Sequence, residues 1–306
     1  MIPAALLADA ALGEPPARLH PTVWMGHAAA AFDRLGHRAG SRTGRRLTGL
    51  AAALAVPAAA YALTAALLRI TPRPLRSPAE VAVVSLALSM RGLAAGALAV
   101  EAALERGDLA SARERAAEIV GRDTGGLCEA ELARAAAESV AENASDGVVA
   151  PMLYAALAGA PGAMAYRAVN TLDSMLGYRR GVYEDLGLVP ARLDDLANLV
   201  PARLTALGVA AVSGSPLRTL RVVRRYGGLH PSPNAGRAEA AFAGALGVSL
   251  GGDSYYGGEL RGGEKIGVGP AATTGDIRRS VALMRRACVA LALALWLAGT
   301  WRKRSD

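Results

Sequence analysis

Three groupings of acids and amides in the sequence could do oxygen chemistry: Glu138, Glu142, Asn143 and Asp146; Asn170-Thr-Leu-Asp-Ser174; and Asp194-Asp-Leu-Ala-Asn198. In the second and third, Asn170 with Asp173 and Asp194 or Asp195 with Asn198 stand three or four apart, which puts acid and amide on one helix face. Such oxygens can hold Mg²⁺, and Mg²⁺ usually arrives with a substrate phosphate. At about 100° per residue, Glu131, Glu138 and Glu142 fall within roughly 60° of one another, with Asp146 about 40° further round. A stripe of this kind also fits a solvated helix face. The argument for use is position, because Asn143, Ser145, Asp146 and Gly147 run straight into the apolar Val148 to Leu157. Acids at the edge of burial are expensive unless used.

Arginine is the complement of such a site, since its planar fork matches phosphate and carboxylate oxygens. Arg167, Arg179, Arg180, Arg192 and Arg203 lie in or beside the groupings, where they either clamp a substrate or neutralise the acids. Asn170 either bridges helices or binds a ligand. In His230-Pro-Ser-Pro-Asn-Ala-Gly236, Ser232 is expected to cap a helix with Pro233 at its first position. An anion could dock on the free N–H groups there beside Asn234, and a helix start without ligand fits equally. A lone His230 has no second His or Cys at ligand spacing, so a hydrogen-bonding role is expected of it. The glycine-rich 251 to 269 has neither a Walker pattern nor a dinucleotide fingerprint.

The elements that must position these groups are dominated by Ala, Leu and Val. The chain has 306 residues, of which 52% are hydrophobic and only 4% aromatic, with a formal charge of +8. That balance argues against a plain soluble globule. Arginine runs border the apolar segments without the aromatic interleaving of a nucleic-acid platform, so nucleic acid is not an expected partner and anionic lipid or phosphorylated substrates are. No linker divides the chain, and 1–306 reads as a single membrane-embedded domain. Cys128 and Cys288 are too far apart to suggest a disulfide framework or metal cluster, and both are expected to be buried as small hydrophobes.

In chain order, a short helix ends at Gly13 and the prolines at 15 and 16, and His20 to Gly26 reads as an irregular turn. Leu47 to Ile70 is a transmembrane helix with Pro57 inside it and a basic flank from Arg34 to Arg46, expected on the cytoplasmic side. Thr71 to Pro78 reads as a breaking loop, and Ala79 to Ala103 as a weaker second span. Exposed helices occupy 104 to 121, and an acidic helix 129 to 144. Val148 to Ala168, broken by Pro151, Gly159, Pro161 and Gly162, is expected to be split or re-entrant. Residues 226 to 276 read as a long glycine-rich loop with a short helix at 237 to 246. The last apolar run carries Trp296 and Trp301 before Arg302-Lys-Arg304, an interface anchor. The fold expected is all-α: a multi-pass integral membrane bundle with kinked or re-entrant helices.

Several of these stretches occur in the same order in a known family. They are Asp9-Ala-Ala-Leu-Gly-Glu-Pro-Pro16 with His20-Pro21 and Gly26, Glu138-Ser-Val-Ala-Glu-Asn-Ala-Ser-Asp-Gly-Val-Val-Ala-Pro151, and Tyr166-Arg-Ala-Val-Asn-Thr-Leu-Asp-Ser-Met-Leu-Gly-Tyr178. They continue with Ala191-Arg-Leu-Asp-Asp-Leu-Ala-Asn-Leu-Val-Pro-Ala-Arg203, and Ser232-Pro-Asn-Ala-Gly236 through Ala243-Gly-Ala-Leu-Gly-Val248. On these residues the chain resembles, almost end to end, the CobD/CbiB family of cobalamin biosynthesis, the adenosylcobinamide-phosphate synthases. It departs from the family at His27, Arg237 and Ala238. The resemblance implies an ATP-dependent ligase in the cell membrane, joining aminopropanol or its O-phosphate to the propionate carboxylate of adenosylcobyric acid.

It implies ATP and Mg as cofactors, and as partners the two substrates, the lipid bilayer and other enzymes of the pathway, with the active site on the cytoplasmic side. Under this reading Glu142, Asp146, Asp173, Asp194 and Asp195 bind Mg²⁺ or deprotonate the amine, with Glu138 beside them. Asn143, Asn170 and Asn198 orient them, Arg167 and Arg203 are phosphate or carboxylate clamps, and His230, Ser232 and Asn234 contact substrate. The competing readings are an intramembrane prenyl- or alcohol-phosphotransferase, and a transporter or assembly subunit.

Overall fold

The computed structural model describes residues 1–13, 15–178 and 180–305, with side chains through Trp301. Glu14, Arg179 and the side chains of Arg302, Lys303 and Arg304 lie outside the described residues. In chain order the helices are α1 (Ile2–Leu12), α2 (Pro21–Arg38), α3 (Arg42–Ile70), α4 (Arg73–Ala87), α5 (Met90–Glu105), α6 (Leu109–Ala117) and α7 (Glu129–Asn143). They continue as α8 (Ala150–Leu176), α9 (Tyr183–Leu186), α10 (Leu188–Ala197), α11 (Leu199–Val212), α12 (Pro216–Tyr226), α13 (Ala235–Leu246) and α14 (Thr274–Ser305). A π-helical turn, Ala144–Val149, joins α7 to α8.

Among the described residues, four helical segments are long and apolar enough to cross a membrane: Arg42–Ile70, Arg73–Glu105, Glu129–Leu176 and Thr274–Trp301. Leu188–Ala197 and Leu199–Val212 add a fifth if they form one broken span. The protein is therefore an all-α, multi-pass membrane bundle, and helices serve because each satisfies its own backbone hydrogen bonds in hydrocarbon.

The chain divides into two compact units, Met1–Leu88, Ala150–Asn198 and Leu293–Asp306 in the first, and Ser89–Val149 with Leu199–Ala292 in the second. In the first, α8 packs on α2, α3, α4 and α10. The short α9 lies against α3, where a Cβ on Gly49 would sit 2.0 Å from the Leu186 carbonyl oxygen. Two arginines of α3 hold α9 there, Arg42 Nε donating at 2.9 Å and Arg46 Nε at 2.8 Å to the two oxygens of Asp185. Their hydrogen bonds and charges, that of Arg42 foremost, hold the Asp185 carboxyl below its ordinary range. In the second unit, α5 packs on α6 and α7, and α13 on α11, α12 and α7.

Several expected boundaries shift. His20 to Gly26 is not an irregular turn, because α2 starts at Pro21, a residue pre-set for the first helical position, and His20 caps it by accepting from the Thr22 N–H at 3.3 Å. The loop expected over Thr71 to Pro78 shrinks to Thr71 and Pro72, because Pro74 falls in the first turn of α4, where no N–H is needed. The interruption expected in 148 to 168 is present, with Ala158 and Gly159 non-helical and Gly159 at φ 68°. The glycine-rich region holds α13 and two antiparallel pairs of three-residue strands, β1 (Ser249–Gly251) with β4 (Lys265–Gly267) and β2 (Ser254–Tyr256) with β3 (Glu259–Arg261). Cys288 is buried, but Cys128 is exposed just before α7. The Cys128 N–H donates to Glu131 at 2.8 Å, so Glu131 leaves the acidic stripe to close a helix end.

Candidate active site

In the second unit, the inner face of α7 presents Glu138, only 3% exposed. One carboxylate oxygen accepts from Arg122 at 2.5 Å and the other from the Gly251 N–H at 2.6 Å. Arg122 also donates to Ser254 Oγ at 3.0 Å. Arg134, one turn before Glu138, donates to the carbonyls of Gly251 and Asp253. Burial opposes the charge of Arg122, but the Glu138 carboxylate outweighs it and raises the guanidinium pKa. Glu138 is thus a satisfied buried anion that ties α7 to the β1–β2 segment.

A second carboxylate of this unit, Glu239 on α13, is 4% exposed. His230 Nδ1 accepts from the Ser232 N–H at 3.0 Å, which turns Nε2 toward Glu239 Oε1 at 3.7 Å. Burial first, then the charges of Glu138 and Glu142, hold the Glu239 carboxyl well above its ordinary range. Glu142 itself is exposed. Ser232 is not the N-cap of α13. Asn234 is, and the Ser232 hydroxyl accepts from the N–H groups of Asn234 and Ala235, both at 3.3 Å. Arg203 donates to Asn234 Oδ1 at 3.1 Å and to the Leu199 carbonyl at 2.7 Å. Asn143 donates to the Ser139 carbonyl at 3.0 Å within α7, and Asp146 sits half-buried in the π-turn. In that turn Gly147 lies close to Ser89, whose Oγ would be 2.4 Å from a Cβ there and whose N–H donates to the Gly147 carbonyl.

The first unit builds its network around Asp194 on α10, which is buried. Asn198 Nδ2 donates to Asp194 at 2.9 Å and Asn170 Nδ2, from α8, at 3.5 Å. Tyr166 OH donates to Asn198 Oδ1 at 2.8 Å, and Arg167 lies 3.5 Å from Asn170 Oδ1. Tyr154 stacks on Tyr166 at 5.0 Å between centroids and donates to the Ala197 carbonyl. Asp173 and Asp195 lie near enough for their charges to act on Asp194, and Arg192 approaches Asp195 at 3.6 Å. Asp195 and Arg192 also line a cleft of about 220 Å³ with Tyr178, Tyr183 and Glu184.

The structure thus brings Asn170, Asp194 and Asn198 together in one unit, and Arg203 with Asn234, and His230 with Ser232, in the other. Arg122, Arg134, Tyr154, Tyr166 and Glu239 are members of these networks that the sequence had not singled out. Glu239 had a signal, the one acid of α13, followed by the apolar Ala240 to Leu246, and Tyr166 lay inside a recognised stretch. Of the acids expected to bind a metal, Glu142 and Asp146 belong to the second unit and Asp173, Asp194 and Asp195 to the first. Among the described residues no three His, Cys, Asp or Glu side chains are grouped to hold a metal ion.

Fold and site together define a multi-pass helical membrane protein whose units each carry a buried, hydrogen-bonded carboxylate network. The family model for the CobD/Cbib protein matches residues 2–284, and the chain belongs to that family. It is similar to proteins named "Cobalamin biosynthesis protein CobD". That of Chromobacterium violaceum is 45% identical over 290 residues, 93% of this chain and 91% of the relative. That of Stutzerimonas stutzeri is 46% identical over 300 residues, 97% of this chain and 96% of the relative. That of Mycobacterium tuberculosis is 42% identical over 283 residues, 91% and 88% respectively. No solved structure matches the chain.

Proposed function

We propose that the protein is an adenosylcobinamide-phosphate synthase, which forms an amide between the propionate carboxylate of adenosylcobyric acid and aminopropanol or its O-phosphate at the expense of ATP. The observation that carries this reading is the family match over residues 2–284. A carboxylate is a poor electrophile. Phosphoryl transfer from ATP to a carboxylate oxygen supplies a leaving group; the amine nitrogen then bonds to the carbonyl carbon, the C–O bond to phosphate breaks, and a base takes the amine proton. Because ATP is an intracellular substrate, the site belongs on the cytoplasmic side.

The donors fit Mg²⁺ brought in with a phosphate rather than held in an all-protein cage, since that ion commonly takes one or two carboxylates and keeps waters. Bound there, it would neutralise charge developing on the transferred phosphoryl group. In the first unit we assign Asp194, Asp173 and Asp195 as the oxygen donors or base, with Asn170 and Asn198 orienting Asp194 and Arg167 as a clamp. In the second, Glu142 and Asp146 are the corresponding acids, Arg203 a clamp, and His230, Ser232 and Asn234 contacts for substrate. Glu138 and Asn143 position α7.

The assay is consumption of adenosylcobyric acid by membranes supplied with aminopropanol phosphate, with and without ATP. ATP-dependent amide formation is expected, and its absence would sink the ligase reading. Asp173→Ala and Asp194→Ala should each lower turnover by about 100-fold or more, the scale of a lost proton-transfer group, while the protein stays in the membrane.

A further inference from the structure

The helix α12 reads Pro216-Leu-Arg-Thr-Leu-Arg-Val-Val-Arg-Arg-Tyr226. Its inner face is settled by packing. Thr219 and Val222 are buried, and Val223 and Tyr226 join Val222 against Ala240 of α13 and Ile266 of β4. The opposite face does not finish as a solvated surface. Leu217 is 76% and Leu220 37% exposed, and at spacings of three, four and seven they share that face with Arg221 and Arg224. Arg225 flanks it, 5.3 Å from the Tyr226 ring. Arg218 is already committed to the carbonyls of Gly244 and Ala245. By contrast, no ion pair or hydrogen bond joins Arg221 or Arg224 to another described residue. Three arginines and two leucines on one outward face of an eleven-residue helix are unmatched by any acid of α12 itself.

Position supplies the occupant. Only Ser213, Gly214 and Ser215 separate α12 from the end of α11, the second half of the candidate broken span. A basic helix beginning within one turn of an apolar one lies at headgroup depth. Leucines there enter the acyl boundary while arginine forks meet phosphates, which matches the pairing of Leu217 and Leu220 with Arg221 and Arg224 on one face. We propose that the outer face of α12 docks on anionic phospholipid headgroups of the bilayer, through Arg221, Arg224 and Arg225 with Leu217 and Leu220 inserted.

The test uses the full-length protein in nanodiscs, with a fluorophore on Leu217→Cys in a Cys128→Ser background and acrylamide as a neutral quencher. Discs of phosphatidylcholine alone are compared with discs containing phosphatidylglycerol. The probe should be shielded in the anionic discs and open to quencher in the neutral ones. Each arginine neutralised should weaken the docked state about fivefold, so R221Q/R224Q/R225Q should abolish the difference and R221K/R224K/R225K should retain it. The lysine variant separates loss of charge from loss of fold. Equal quenching in both lipids, or a lipid difference that survives in the glutamine variant, overturns the proposal. So does shielding that appears only when an acidic protein is added.

Discussion

Glu239 is a side chain whose surroundings hold its proton. Burial disfavours its charge, and the carboxylates of Glu138 and Glu142 add repulsion. The folded state therefore keeps a proton that the unfolded chain gives up near the ordinary glutamate value of about 4.3. A raised folded pKa in an acid means stability present in full below that value and lost as pH rises toward the folded one. Glu239→Gln, which is neutral at every pH, should remove that slope, so Tm of the variant should decline less than that of the wild type between mildly acidic and neutral pH. Parallel Tm profiles would mean that Glu239 is ionised in the fold. In the other unit, Tyr166→Phe deletes the 2.8 Å hydrogen bond to Asn198 and should cost about 1 kcal/mol in chemical unfolding, with a larger loss of activity if Asn198 needs that anchor to orient Asp194. Glu138 and the acids and amides around Asp194 were legible because their residue types are conspicuous beside apolar sequence, whereas Glu239 was not singled out. Tyr154 and Tyr166 were not, since a tyrosine in an alanine-rich helix has the pattern of core, and nothing in local spacing reveals that it meets residues 197 and 198.

At the level of elements, apolar length found the first two spans, while the last one, Thr274–Trp301, read only as an interface anchor, and packing decided the joints. Pro21 fell in an expected irregular turn and Pro74 in an expected breaking loop, yet each sits where a helix begins and its missing N–H costs nothing. The π-turn at 144–149 had no sequence signature. It depends on Ser89 crossing Gly147 from a segment 58 residues away, and extra-residue turns of this kind cluster at functional sites. The break at Ala158–Gly159 was legible because Gly159 and Pro161 act through local backbone geometry. Gly49 tests how close an element approach the fold requires. Gly49→Ala puts a Cβ 2.0 Å from a backbone oxygen of Leu186, and backbone does not swing aside as a side chain does. The substitution should lower stability by about 1–3 kcal/mol and disturb α9. Gly40→Ala, with nothing within 4 Å of the new atom, should be tolerated in the same thermal assay. Equal Tm values for the two variants would show that α9 is not held as closely as its contacts indicate.

For the whole molecule, the +8 charge and long apolar runs made the membrane class legible, whereas the side on which each acidic network lies is a question of topology that composition does not answer. The two cysteines provide a direct probe. Cys288 lies on the last span and is buried, and Cys128 is exposed at the start of the Glu129–Leu176 segment that carries Glu138. A thiolate must be reached to react, so a maleimide should modify one cysteine per native chain and two after denaturation. If the start of α7 faces the cytoplasm, a membrane-impermeant maleimide should leave Cys128 unmodified in intact cells and modify it in inverted membrane vesicles, where Cys128→Ser should abolish the signal. Modification in intact cells would place the start of α7 outside. The helix end closed by Cys128 and Glu131 would then face away from cytoplasmic ATP, and no ATP-using site could be built on that end of α7.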